Sequence, residues 1–140
     1  MNFQAAIGLA DGYRQLQQPD RAVQTLQKVV DTPGVDPGVV LLVAESFNRL
    51  GNFQKLESTL DQLVKIAPEM PEAWYDLAGI KVRVNKTPEA AVALRRALDL
   101  SDKRHQKDPK AADLSANVLK DQQFAALRES PEFKKLPPAK

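Results

Sequence analysis

The sequence predicts an all-helical protein made of three copies of a helical hairpin, followed by a helical cap. Three observations support this. Small and apolar residues recur with a period of 34, the apolar positions within each copy follow helical spacing, and turn-forming residues divide each copy near its middle. A period of this length is typical of proteins in which each repeat stacks on its neighbours.

The period is visible in six columns of residues that agree over three copies. These columns place the copies at 3–36, 37–70 and 71–104 and leave a C-terminal segment at 105–140. The columns are Leu9, Val43 and Leu77; Ala10, Ala44 and Ala78; Ala22, Leu56 and Ala90; Leu26, Leu60 and Leu94; Val29, Leu63 and Ala97; and Val30, Val64 and Leu98.

Each copy contains two amphipathic helices, because its apolar residues lie three and four positions apart and therefore share one stripe of a helix. Short turns between such helices force them to pack antiparallel, and the small residues of the second column permit a close approach. The predicted first helices span 3–16, 37–50 and 71–84, and the predicted second helices span 19–30, 53–66 and 88–103.

Helix-capping residues support these boundaries. Thr87 is expected to cap the last second helix with its hydroxyl while Pro88 takes the first helical position, and Asp36 before Pro37 offers the same device. The breaks within the copies fall at Gln18-Pro19-Asp20, Gly51-Asn52 and Asn85-Lys86-Thr87-Pro88, and those between copies fall at Pro33-Gly34 and Pro68.

This pattern resembles the tetratricopeptide repeat (TPR), and the third copy is the most similar. That copy departs from the family at Lys81, where Tyr is usual, and at Asp102, where Pro is usual. The resemblance implies a tetratricopeptide-type hairpin solenoid that winds as a right-handed superhelix. The third copy matches the family pattern at Trp74, Leu77, Ala78, Ala90, Leu94 and Ala97.

The segment 105–140 is not a fourth clean copy, and we expect it to cap the array, because a solenoid must cover the apolar face of its last repeat. It resembles the closing segment of many bacterial arrays of this family. One amphipathic helix is predicted around 111–119, and 137–140 is expected to fray. Near Leu94 and Leu98, the residues expected to fold back on the last second helix are Phe124, Leu127, Phe133 and Leu136.

In this family the ligand usually lies in a concave groove lined by the first helices, so the resemblance implies a peptide or protein segment as partner. The alternative is that several groove residues only solvate the inner face. The candidates for peptide binding are Ile7, Asp11, Arg14, Leu41, Glu45, Asn48, Tyr75, Val82 and Arg83. The wider lining would add Gln4, Leu42, Arg49, Glu72, Asp76 and Gly79.

One subset of the family clamps the acidic C-termini of heat-shock chaperones with Lys, Asn and Arg at set groove positions. Here those positions are occupied by Ile7, Asp11, Leu42, Glu72 and Asp76. The acidic side chains would repel a terminal carboxylate, so we do not expect a chaperone-tail adaptor.

Composition argues against an enzyme. The chain has no cysteine and one histidine, and it contains no Gly-rich phosphate loop. We therefore predict no catalytic residue, no cofactor and no metal. Trp74 is expected to pack between paired helices, and His105 is expected at a solvated helix end. The 20 basic and 18 acidic residues are too balanced to predict a nucleic-acid surface.

Two alternatives to a peptide-binding scaffold stay open. One is a self-association domain that forms a homo-oligomer. The other is an accessory domain, the soluble C-terminal piece of a larger bacterial membrane-anchored or secreted protein, because the repeats begin at Phe3 with no leader before them. The sequence shows no stretch suited to membrane insertion, and it leaves the compartment open between cytoplasm and periplasm.

Overall fold

The computed structural model of the chain describes residues 2–136, and within this range it contains helices and turns and no β-strand. The prediction of an all-helical protein is therefore confirmed. The helices are α1 (Phe3–Gln15), α2 (Pro19–Val30), α3 (Pro37–Leu50), α4 (Phe53–Ile66), α5 (Pro71–Arg83), α6 (Thr87–Lys107), α7 (Leu114–Lys120), a 3-10 turn (Gln122–Phe124), α8 (Ala125–Glu129) and α9 (Pro131–Lys134).

The first five helices begin and end within one residue of the predicted positions, whereas α6 continues to Lys107. The predicted end of α6 at 103 is therefore four residues too early. No glycine or proline stands between Pro88 and Pro109, so nothing in the local sequence stops the helix there. In this extension Arg104 and His105 are half-buried, whereas Gln106 and Lys107 are exposed.

The two predicted caps have different outcomes. Asp36 caps α3, and its Oδ1 accepts the N–H of Gly38 at 2.7 Å. The cap predicted at Thr87 is wrong, because Thr87 is already the first residue of α6. Asn85 adopts a left-handed φ of 62° and the N–H of Lys86 donates to the carbonyl of Lys81, so the turn closes early and only Lys86 precedes the helix.

The chain divides into two compact units, Met1–Ala67 and Pro68–Lys140. In the first unit, α1 packs against α2 and α3 packs against α4, so each pair forms a helical hairpin. Helix α3 also contacts both α1 and α2. The core contains Leu26, Val43, Leu60 and Leu63 from the predicted columns, together with Phe47, and all five are fully buried. Leu9 of the first column is an exception, because it is 52% exposed.

In the second unit, α5 packs along α6, and the C-terminal segments cover this hairpin. Helices α7, α8 and α9 contact α6, while the 3-10 turn contacts α5. The core contains Ala78, Leu94 and Ala97 from the predicted columns, and Phe124 from the C-terminal segment is equally buried. The C-terminal segment therefore contacts both helices of this hairpin.

Substitution of the buried Leu60 should destabilise the protein much more than substitution of a leucine on an exposed helix surface. Leu60 is fully buried and Leu42 is 44% exposed. We expect Leu60→Ala to lower the free energy of unfolding by about 2–5 kcal/mol, because it removes buried methyl groups and leaves a cavity. The control, Leu42→Ala, should cost less than about 1 kcal/mol. Urea denaturation followed by circular dichroism measures both, and equal losses would contradict the core assignment.

Candidate functional site

The candidate residues lie in both compact units and form two surfaces, which we describe separately. The first, here called the α1–α3 face, contains Ile7, Asp11, Arg14, Leu41, Glu45 and Asn48 in the first unit. The second, here called the α5 face, contains Glu72, Tyr75, Gly79, Val82 and Arg83 in the second unit.

The α1–α3 face is built from two helices that contact each other. On each helix the candidates are spaced by four and then three residues, so they share one side of that helix. Ile7 and Leu41 are half-buried, whereas Glu45 and Asn48 are exposed. Apolar and polar groups are therefore both accessible on this face.

Asp11 and Arg14 form an ion pair on α1. Arg14 Nε donates to Asp11 Oδ1 at 2.9 Å, and Arg14 Nη2 lies 2.8 Å from the same oxygen. Gln15 Nε2 donates to the other carboxylate oxygen at 3.0 Å. The hydrogen bond from Arg14 is the main reason that the pKa of Asp11 lies below its ordinary value. This pairing holds the Arg14 side chain in one place.

Arg49 approaches the same region from α3. Its Nη2 donates to Ser46 Oγ at 3.1 Å, and that hydroxyl donates to the carbonyl of Leu42 at 3.1 Å. The cleft between the two helices is too narrow for a water molecule, so a ligand would have to lie over it. The cleft is lined by Ala10, Asp11, Arg14, Leu26, Ser46, Arg49 and Leu50.

On the α5 face, Tyr75 is buried, which corrects the expectation of an open groove there. The Tyr75 hydroxyl donates to Asp121 Oδ2 at 2.8 Å. Its ring meets that of Phe124 edge to face, with centroids 5.0 Å apart and an interplanar angle of 78°. The chain's own C-terminal segment therefore covers this candidate residue.

Two further positions of the α5 face are occupied internally. A Cβ atom added at Gly79 would lie 2.8 Å from Gln123 Oε1, so the absence of a side chain admits this glutamine. Glu72 Oε1 accepts from Arg104 Nη1 at 2.6 Å. Val82 is half-buried and Arg83 is exposed farther along the helix.

The C-terminal segment takes a different path from the predicted one at Phe124. We expected Phe124 near Leu94 and Leu98 on α6, but the 3-10 turn directs it to Tyr75 on α5. Phe133 does pack on α6, where the Arg95 guanidinium lies 4.3 Å from its ring centroid. The cap thus contacts both helices, and the fraying expected at 137–140 lies outside the described residues.

Separate contacts attach the start of the C-terminal segment to α6. The fully buried Ser101 Oγ accepts the N–H of Leu114 at 2.9 Å, and Ser115 Oγ donates to Asp102 Oδ1 at 2.6 Å. Arg104 Nη2 donates to the carbonyl of Ala112 at 3.2 Å. These bonds fix α7 on α6 independently of the contact at Tyr75.

Trp74 and His105 each lie against a backbone carbonyl of a nearby turn. Trp74 is half-buried rather than enclosed in the core, and its Nε1 donates to the carbonyl of Pro68 at 2.8 Å. His105 is also half-buried, because α6 runs past it, and its Nδ1 lies 3.3 Å from the carbonyl oxygen of Ala111. The Trp74 contact joins α5 to the turn that precedes it, and the His105 contact joins α6 to the turn that follows it.

Sequence reasoning missed Asp121, Gln123 and Ser46 as contributors to these two surfaces. Asp121 and Gln123 occur in a segment without a repeat, so no column identifies them. The available signal was Gly79, a glycine on the predicted ligand-facing side of a helix, which permits close approach of another group. Ser46 follows the exposed Glu45 and has no comparable signal.

Among residues 2–136, no group of three or more histidine, aspartate or glutamate side chains gathers in a way that could hold a metal ion. The same residues include no helix that is both long and apolar enough to span a membrane.

The contact between Tyr75 and Asp121 should depend on pH. Burial, followed by the bond to Asp121, raises the pKa of Tyr75. Burial opposes ionisation of Asp121, but hydrogen bonds from Gln123 and Tyr75 outweigh it and lower the pKa of that carboxyl. Above about pH 4, the ionised Asp121 therefore stabilises the packing of the C-terminal segment against Tyr75. This contribution is lost as the pH falls through the pKa that Asp121 has in the folded protein. The contribution of Tyr75 is present below about pH 10 and is lost at higher pH.

Hydrogen exchange at the amides of Gln123 and Phe124 measures this dependence, after correction for the intrinsic effect of pH on exchange. We expect protection to be greatest near neutral pH and to fall on the acid side. Tyr75→Phe should remove part of the acid dependence, because Asp121 then loses one hydrogen-bond donor and keeps those of Gln123. Equal acid sensitivity in both proteins would show that another group is responsible.

No protein family matches this chain, and no curated protein matches it either. Its function must therefore be inferred from the residue columns, the packing of the hairpins and the two candidate surfaces.

Proposed function

We propose that the protein is a tetratricopeptide-type scaffold that binds a peptide or protein segment on the first helices of its hairpins. The observation that carries this proposal is the α1–α3 face, where Asp11 and Arg14 on α1 lie beside Ser46 and Arg49 on α3 around a single cleft. The in-register columns and the consecutive packed hairpins support the tetratricopeptide assignment.

The α1–α3 face has the groups that an extended or helical peptide needs. Arg14 is held in place by Asp11, so binding costs it less side-chain entropy than it would cost an unrestrained arginine. Ile7, Leu41 and the 44% exposed Leu42 offer apolar contact. Such a combination of apolar anchors and oriented polar groups is characteristic of peptide recognition.

Charge defines the kind of peptide further. Asp11 and Glu45 balance Arg14 and Arg49, so this face favours a segment of mixed character over a strongly acidic one. An acidic chaperone tail is disfavoured on this face for the same reason. The proposal includes no catalytic residue, cofactor, metal, nucleic acid or direct membrane insertion.

Removal of the two guanidinium groups should weaken peptide binding. We expect Arg14→Gln combined with Arg49→Gln to lower affinity at least about tenfold, because each lost bond to a charged group contributes about 1.5–3 kcal/mol. Peptides selected from a displayed random library against the parent chain provide the ligand, and fluorescence anisotropy measures affinity. The matched control is Lys28→Gln with Lys65→Gln, which removes the same charge from exposed positions on α2 and α4.

The scaffold proposal requires the control to bind like the parent. If both double variants bind the selected peptides equally well, the α1–α3 face is not the binding surface. Circular dichroism of each variant establishes that the helices are intact before affinities are compared.

A second candidate function, self-association, is favoured by one exposed leucine on α1 and another directly after its end. Leu9 is 52% exposed and Leu16 is 68% exposed, whereas Val43, which occupies the column of Leu9, is fully buried on a helix that packs against α1, α2 and α4. A second copy of the chain could cover α1 in the same way as the neighbouring helices cover α3. An accessory role within a larger protein would use the same surface for another domain.

Substitution of these leucines tests self-association. We expect Leu9→Ser with Leu16→Ser to shift a concentration-dependent dimer toward monomer, because burial of both side chains would be lost. Sedimentation equilibrium measures the shift, and Leu119→Ser, at a 67% exposed leucine on α7, is the control. A parent chain that stays monomeric at high concentration would rule out this candidate.

A further inference from the structure

A short part of the chain already lies on the α5 face as a ligand would. This part, here called the plug, comprises Asp121, Gln122, Gln123 and Phe124. Its carboxylate accepts from Tyr75, its glutamine lies against Gly79, and its aromatic ring packs on the ring of Tyr75. The plug thus contacts two positions that the family resemblance assigns to ligand binding.

The segments on both sides of the plug have their own attachments to α6. Before it, α7 is bound to α6 through Ser101 and Asp102. After it, Phe133 on α9 packs under Arg95 of α6. The plug therefore lies between two attachment points. Its contacts with α5 include the hydrogen bond from Tyr75 to Asp121, the ring contact of Phe124 with Tyr75, and the packing of Gln123 against Gly79.

We propose that the α5 face is a peptide-binding surface for a segment that carries a carboxylate and, three residues later, an aromatic ring, and that the plug is the built-in competitor for this surface. This inference rests on the proposed scaffold function and extends it by naming the chemistry of the partner. The plug has this chemistry in Asp121 and Phe124, with a 3-10 turn between them.

The α5 face explains why both groups are needed. The Tyr75 hydroxyl is a donor in a buried position, where an ionised acceptor gives a stronger hydrogen bond than a neutral one. The edge-to-face contact requires a second ring at a defined angle to that of Tyr75. Gly79 leaves room for an intervening side chain, here the amide of Gln123.

Competition with the plug determines the affinity for an external peptide. A tethered segment acts at an effective concentration in the millimolar range, so a free peptide of equal intrinsic affinity binds the parent chain only weakly. If the plug loses its binding groups while α5 stays unchanged, the free peptide should bind much more tightly.

The test uses the full chain and a fluorescent peptide with the sequence of residues 113–130. The opened variant carries Asp121→Asn, Gln123→Ala and Phe124→Ala, all outside α5. We expect this variant to bind the peptide at least about tenfold more tightly than the parent, because the loss of a bond to a charged group alone has an effect of that size. The control peptide carries the same three substitutions and should not show the gain.

A site-directed control shows where the peptide binds. Tyr75→Phe in the opened variant removes the hydroxyl and keeps the ring. It should therefore lower the affinity of the opened variant for the peptide about tenfold. A purely structural role of the plug would make the opened variant less stable but would give no peptide binding that depends on Tyr75.

Phe124 is fully buried, so its substitution removes a core side chain and can unfold the opened variant. A second variant is therefore tested beside it. It carries Asp121→Asn and Gln123→Ala and keeps Phe124, and it should show a smaller gain of the same sign. Circular dichroism and Trp74 fluorescence identify the folded variants. The proposal is overturned if the folded variants bind the peptide no more tightly than the parent does.

The result can be separated from that of the scaffold test. The Arg14 and Arg49 substitutions test the α1–α3 face with selected peptides, and the plug substitutions test the α5 face with the 113–130 peptide. Loss of binding in the first test together with no gain in the second would retain the scaffold function and remove the α5 face as a binding surface.

Discussion

The constraint on which the second unit depends is that a helical hairpin buries only the side of each helix that faces its partner. Helices α5 and α6 bury Ala78, Leu94 and Ala97 between them, but their outer sides need another cover. The C-terminal segment provides it, with Phe124 on α5 and Phe133 on α6. Each described C-terminal element accordingly contacts α5 or α6.

The same requirement places structure and ligand binding in competition on α5. A residue that offers an aromatic ring and a hydroxyl to a partner also offers them to the chain's own cap, and Tyr75 uses both with Asp121 and Phe124. Burial then strengthens the hydrogen bond, because the local dielectric is lower than that of water. Under the proposed exchange, a partner would have to replace these contacts with equivalent ones, and the cap would then define which chemistry can bind.

Much of the fold could be predicted because the apolar columns determine packing within each hairpin. Leu26, Leu60 and Leu94 recur every 34 residues and are all fully buried, so one pattern predicts three cores. Capping was less predictable. Asp36 lies outside its helix and caps it, whereas the backbone turn at Asn85 brings Thr87 into the helix. The local sequence at Thr87 is compatible with both arrangements, and backbone hydrogen bonding decides between them.

The candidate site was predictable only in part, because a repeat pattern indicates which side of a helix faces the core but not what covers its other side. The repeat pattern placed both Arg14 and Tyr75 on first helices, but it did not predict that the two side chains have different neighbours. Arg14 is held by Asp11 on the same helix, so a ligand on the α1–α3 face adds contacts to a surface that is already organised. Tyr75 is held by a distant segment that occurs once in the chain, so a ligand on the α5 face must exchange contacts with that segment. The two arrangements predict different responses to mutation. Substitutions on the α1–α3 face should remove contacts and lower the affinity for a peptide, whereas substitutions in the plug should remove a competitor and raise it.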